Sequence, residues 1–238
     1  MFSYYGSKYS IVKRYPFPKY DRIVEPFAGA AWYSLTYGTC RDVLLCDINP
    51  VIYHIWKWII EEATLKDVEA LPELEVGEDL RNYKQLTDVE RDLLGFAVNT
   101  GTESPRYVTT KWAAHGRGID GGNGRGRIEL LKHRLRHYLP RIKHWKVLDC
   151  SYRAIKSNRR STWFIDPPYD GPASRAYVEP PIDYRQLACW CRERVGQVIV
   201  CEIEGANWLP FRQLTDKKRR TRYVTMTEVV WTNDAEAQ

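Results

Sequence analysis

The feature that most restricts how this chain can fold is an alternation of two hydrophobic periods. Short apolar runs, at residues 22–24, 43–47, 146–150, 162–166 and 197–203, are separated by stretches at 31–37, 51–62 and 184–195 whose apolar residues recur at helical spacing. Continuous short apolar runs fit strands buried on both faces, and the helical stretches between them fit crossovers that cover those faces. The expectation is an α/β protein built on a mostly parallel sheet. Two further runs, 222–225 and 228–232, predict closing strands paired as an antiparallel hairpin.

One segment breaks the alternation. After a helix predicted over 87–98, residues 99–127 hold six glycines between Gly116 and Gly126, several arginines and Trp112, with no clean period. This reads as an irregular insert, closed by a helix over 128–138 that Pro140 should terminate. The division expected is a catalytic domain from 1–86 and 139–238 carrying an inserted recognition region at 87–138, and 238 residues suffice for both.

Composition excludes several classes. With 44% hydrophobic and 28% charged residues the chain is neither disordered nor membrane-spanning. No run of eighteen apolar residues and no signal-like start is present, so the protein is expected to stay in the compartment where it is made, the cytoplasm. The six cysteines, Cys40, Cys46, Cys150, Cys189, Cys191 and Cys201, lie mostly in apolar runs and read as reduced core residues. His133 and His137 are four apart on a predicted helix, but no HExxH acid accompanies them, so no metal site is expected.

The net charge of +6 is unevenly spread. Residues 61–92 hold eleven acidic against four basic side chains, whereas 106–146 hold eleven basic against two acidic. The cationic block suggests a polyanionic partner: Lys111, Trp112, Arg117, Asn123, Arg125 and Arg127 are candidates to follow phosphates or reach a groove. Basic side chains that merely solvate a helix are an equal reading for Lys132, Arg134 and Arg136.

Chemistry concentrates at strand ends. Phe164-Ile165 runs into Asp166-Pro167-Pro168-Tyr169, where two prolines make a stiff turn holding a carboxylate, a carbonyl and a ring in fixed relation. In an open α/β sheet, ligands bind at that edge. The lone pair of an exocyclic amine on a nucleobase is delocalised and attacks poorly. Asp166 and the Pro167 carbonyl could each accept one of its N–H hydrogens, which favours a pyramidal nitrogen, while Tyr169 stacks on a base flipped out of its duplex. Glu25-Pro26-Phe27-Ala28-Gly29-Ala30 is a second strand end, with residues small enough to bend around a ligand. Asp47 ends the next strand about twenty residues on, a place from which acids bind ribose hydroxyls. Taken alone, each of these fits a generic sheet protein, and Tyr4-Tyr5-Gly6-Ser7-Lys8 fits a loose terminus.

In order and content these pieces resemble the DNA adenine-N6 methyltransferases of the Dam-like, D12 class family, over nearly the whole chain. The resemblance implies a Rossmann-like S-adenosylmethionine-dependent methyltransferase sheet with a small inserted target-recognition region. Tyr4 and Lys8 match the amino-terminal segment that walls the cofactor pocket, Glu25, Pro26, Phe27 and Gly29 the loop around the cofactor's methionine part, and Asp47 the ribose acid. Asp149-Cys150 resembles the family's Asp-Phe pair, with Cys150 departing from phenylalanine, and Tyr4 stands where tryptophan is usual. Asp166 to Tyr169 match the catalytic tetrapeptide completely, and Asp166 also borders the cofactor. The resemblance implies DNA as partner and is compatible with a cognate restriction endonuclease. The recognition insert matches no family member closely enough to predict a target sequence. Alternative readings are a cytosine-N4 methyltransferase of the same fold, a non-catalytic DNA-binding relative, and methylation of RNA or of a protein glutamine amide.

Overall fold

In a computed structural model, the structure describes residues 1–99, 102–111, 126–170, 182–215, 219–220 and 225–236. The predicted sheet is present, with seven strands: β1 (Arg22–Glu25), β2 (Asp42–Asp47), β3 (Lys146–Asp149), β4 (Ser161–Ile165), β5 (Gly196–Ile203), β6 (Arg212–Gln213) and β9 (Glu228–Thr232). Their order is β3-β2-β1-β4-β5-β9-β6. The first five are parallel, and β9 runs antiparallel between β5 and β6. This is a mixed α/β fold with a Rossmann-like sheet.

Of the two closing strands expected, the one at 228–232 is β9, which pairs with β5 on one side and β6 on the other, while 222–224 lie outside the described residues. β7 (Arg219–Arg220) and β8 (Thr225–Met226) pair in a separate two-stranded ribbon. All five residues of β9 are buried, as fits a strand with a neighbour on each side inside the sheet.

Helices cover both faces. Against one lie α1 (Trp32–Tyr37), α2 (Pro50–Lys57), α3 (Leu65–Ala70), α4 (Asp88–Ala97) and α5 (Arg127–Ile142), burying Ile23, Val43, Leu45, Phe164 and Ile199 in the larger core. Against the other, α6 (Tyr184–Arg192) packs Leu187, Trp190 and Cys191 onto Val24, Trp163, Ile165, Val198 and Trp231. Local chemistry sets the helix starts. Asn49 caps α2 with Pro50 in its first turn, and Thr87 and Glu90 form a reciprocal capping box on α4. The predicted 51–62 helix is α up to Lys57 and then a π-helical turn, Trp58–Glu62.

Pro140 does not end α5 as expected; the helix runs on to Ile142. A proline so near a helix end removes only one backbone hydrogen bond. Leu139 and Ile142 are both buried, so packing holds the last turn. The cysteine expectation also needs amending. Cys46, Cys191 and Cys201 are core residues, but Cys40 and Cys189 are exposed, because each lies where its element meets solvent.

Two ion pairs join the acidic stretch 61–92 to the basic stretch 106–146. Arg136 binds Glu69 at 2.5 Å and Glu129 at 2.8 Å, and Lys132 reaches Glu73 at 3.1 Å. Arg134 donates to the Met1 carbonyl at 3.0 Å and lies over the rings of Tyr9 and Trp32. These α5 side chains clamp α3 and the amino terminus rather than facing outward as a block.

Candidate active site

The ends of parallel strands share one edge, so β1, β2, β3 and β4 bring Glu25, Asp47, Asp149 and Asp166 there together. β4 enters the elbow from five fully buried residues, and Asp166 follows with its side chain 21% exposed.

The centre of the site is an ion pair that joins distant parts of the chain. Lys8 Nζ donates to both Asp166 carboxylate oxygens, at 2.6 and 2.7 Å, and to the Gly6 carbonyl at 2.9 Å. Lys8 is 3% exposed. Burial by itself pushes its pKa down, but the charges of Asp166 and Glu228 outweigh that and leave it above the ordinary lysine value. The same ammonium sits 4.8 Å from the centre of the Tyr169 ring, a cation–π contact.

The first strand's turn is built as the sequence predicts, by small residues. Gly29 has φ +45° and Ala31 φ +47°, left-handed conformations that the turn demands. A Cβ on Gly29 would lie 3.1 Å from the Tyr4 ring. That ring rests edge-on against Phe96. Tyr4 and Lys8 thus place the amino-terminal segment over both the glycine turn and the Asp166–Tyr169 elbow.

Asp47 stabilises this turn directly. One of its oxygens accepts from Gly29 N at 2.9 Å and the other from Asn49 N at 3.0 Å. Burial pushes its pKa up to about 6, against the lowering effect of those amides, with the charge of Asp149 adding to the rise. Asp149 lies directly across from Asp47 on β3 and is exposed. Two acids at the mouth of a left-handed turn offer acceptors for hydroxyls and an amine, a donor set that fits an adenosine-type cofactor. Phe27 is half-buried beside this mouth, 5.5 Å from Tyr152.

Glu25 is placed differently from the other cofactor candidates. It is 2% exposed and accepts from Ser34 N at 2.7 Å in the first turn of α1, and burial drives its pKa up to about 8. Its carboxylate braces the helix behind the turn. Pro26 is buried next to it. Of the nucleic-acid candidates, Lys111 is exposed and Arg127 is the half-buried first residue of α5. Trp112, Arg117, Asn123 and Arg125 lie outside the described residues.

Several residues around the elbow were not anticipated. Tyr184 donates its hydroxyl to the Pro168 carbonyl at 2.7 Å. Tyr169 donates to Glu228 at 2.7 Å, and the Asp170 amide to Glu202 at 3.1 Å. Acids at the start of β9 and near the end of β5 could have been noticed as charges interrupting strands, but nothing local says which loop they meet.

Comparisons with known proteins bear on this arrangement. Residues 4–99 match the family model of the D12 class N6 adenine-specific DNA methyltransferases. The matched segment holds Tyr4, Lys8, the glycine turn and Asp47, and it supports a methyltransferase. No curated protein matches the chain. Among solved structures, it is similar to a "conserved hypothetical protein" of Streptococcus pyogenes, with 9% identity, 90% of this chain and 86% of that one covered, and a TM-score of 0.36. It is also similar to a Haemophilus influenzae protein titled "putative methylase", with 10% identity, 89% and 78% covered, and a TM-score of 0.35.

Proposed function

We propose that this protein moves a methyl group from S-adenosylmethionine to the N6 amine of adenine in DNA, on a base flipped out of its helix. The observation that carries the reading is the Lys8–Asp166 pair, with Tyr4 of the same segment packed on Gly29. It ties a stiff acid-Pro-Pro-Tyr elbow to a left-handed glycine turn at one sheet edge. A donor and an acceptor amine must meet in just such a shared space.

The bound cofactor would supply an electrophilic methyl group on its sulfonium; everything else is the chain's own work. Asp47 and Asp149 would accept hydrogen bonds from its adenosine part, and the Gly29 turn admits its backbone closely. Tyr4 walls the pocket. At the elbow, Lys8 binds both oxygens of Asp166 and so would hold the carboxylate in one orientation for the incoming amine. Asp166 and the Pro167 carbonyl take one N–H each, leaving the nitrogen lone pair directed at the methyl group, and Tyr169 supports the base. The Pro168 carbonyl is engaged by Tyr184, which leaves Pro167 as the acceptor in this scheme. The region 87–138 would read DNA through Lys111, Trp112, Arg117, Asn123, Arg125 and Arg127.

The test is methylation of duplex DNA by the whole protein, with the product digested to nucleosides and analysed by mass spectrometry. N6-methyladenine that disappears with Asp166→Asn is expected, by at least about a hundredfold. N4-methylcytosine in its place would transfer the reading to the other amine, and absence of any methylated base would end it.

A further inference from the structure

The elbow is gripped from behind by two carboxylates that the proposed transfer does not use. Glu202 on β5 is 0% exposed and Glu228 at the start of β9 is 2% exposed. A buried carboxylate is strongly unfavourable unless hydrogen bonds replace its water. Here one replacement for each acid comes from the elbow. Glu202 accepts from Asp170 N at 3.1 Å, from Trp208 Nε1 at 3.1 Å and from Ile203 N at 2.9 Å. Glu228 accepts from the Tyr169 hydroxyl at 2.7 Å and more distantly from Tyr15 at 3.4 Å.

The sheet register shows how the two acids divide the task. Ile203 pairs with Glu228 and Glu202 with Val229, so the carboxylates occupy adjacent rungs and project to opposite faces. Glu228 shares its face with Val230 of the larger core, and Glu202 shares its face with Val200 of the smaller one. They therefore reach Tyr169 and Asp170, consecutive residues, from the two sides of the sheet. A turn held on one side only can swing; one held on both has a fixed angle.

We propose that Glu202 and Glu228 are positioning residues that set the pose of the catalytic elbow, Glu228 through the Tyr169 hydroxyl and Glu202 through the Asp170 amide. The inference rests on the methyltransferase reading above. Glu228 also lies close enough to Lys8 for its charge to act there. It thus faces both the ring that supports the base and the cation that orients Asp166.

The experiment measures kcat on duplex DNA, and cofactor affinity by titration calorimetry, for Glu228→Leu, Glu228→Gln, Tyr169→Phe and Glu202→Leu. Glu228→Leu and Glu202→Leu should each lower kcat at least about tenfold while the cofactor Kd stays within about twofold, because misaimed groups lose rate rather than ground-state binding. Glu228→Gln keeps an acceptor oxygen for Tyr169 and should restore most of what leucine loses. Combining Glu228→Leu with Tyr169→Phe should do no more damage than the worse single change, since both remove one interaction. Tyr169→Phe reaches that interaction from the elbow side, so the question stays answerable if Glu228→Leu fails to fold. Unchanged kcat in the leucine variants, equal losses of kcat and cofactor binding, or additive effects would overturn the positioning role. A wild-type protein that methylates no base overturns the reading beneath it, which is a different result.

Discussion

Replacing Asp166 with alanine should destabilise the protein as well as silence it, and the size of that effect follows from the burial of its partner. Lys8 is 3% exposed and is held charged against burial by the neighbouring carboxylates. Removing one member of a buried ion pair leaves an uncompensated charge and costs about 3–5 kcal/mol. The Asp166 side chain keeps 21% exposure, so water can enter the vacated space and the lower end, about 3 kcal/mol, is expected. For a chain of 238 residues, each kcal/mol corresponds to roughly 2–4 °C, which gives a Tm lowered by roughly 6–12 °C. The sign can be checked with pH. A lysine whose folded pKa is raised contributes stability up to its ordinary value of 10.5 and loses it as pH climbs past the folded value. The deficit of Asp166→Ala against wild type should therefore hold across neutral pH and narrow only in strong alkali. Calorimetry or thermal denaturation followed by circular dichroism is the assay, and the double variant Lys8→Met/Asp166→Ala is the control. With both charges gone, the double variant should recover part of the loss, a coupling of about 1–3 kcal/mol. A Tm for Asp166→Ala within about 2 °C of wild type, or strictly additive losses, would refute the claim that this pair is a buried, interdependent unit.

Two further expectations concern the first strand's turn and its acid. On the proposed reading Asp47 accepts ribose hydroxyls best as a carboxylate, and its pKa is pushed up to about 6, so cofactor affinity should weaken as pH falls below that value; calorimetric titration showing a flat Kd between pH 7 and 5 would contradict the assignment. The same raised value has the opposite consequence for stability, since a carboxyl protonated more readily when folded favours the folded state most below about pH 4 and loses that contribution as pH rises through 6. Gly29→Ala places a methyl group at φ +45° and 3.1 Å from the Tyr4 ring, and should destabilise by about 1–2 kcal/mol while weakening cofactor binding; equal stability in denaturant titrations would show that the turn relaxes freely.

The five parallel strands could be read from the sequence because each is an apolar run bounded by an acid, a proline or a glycine. That pattern depends only on local burial. The acids at the strand ends were legible for the same reason: Asp47, Asp149 and Asp166 stand where apolar runs stop. Sequence could not say what those acids touch. Lys8 and Asp166 are 158 residues apart, and only the sheet order brings them together. The strand at 228–232 was legible, but its neighbours were not, because 222–225 and 228–232 look adjacent and strand-like whatever they pair with, and only the sheet order sets β9 beside β5 and β6. Pro140 misled for a related reason. Its effect on a helix is fixed by how many turns remain, and that depends on whether Leu139 and Ile142 find a core.

The charge pattern yields a more specific lesson about where DNA affinity must originate. Read along the chain, 106–146 is a cationic block opposite an acidic one, and every basic residue in it is a candidate phosphate contact. In the fold, Lys132 and Arg136 are spent on Glu73, Glu69 and Glu129, and Arg134 is stacked on two rings. Breaking such pairs to bind phosphate would exchange one ion pair for another with little net gain. On the proposed reading, the counterion release that drives binding has to come from cations other than these three. Glu69 and Glu73 of the acidic segment then have a definite physical role: they hold Lys132 and Arg136 within the fold.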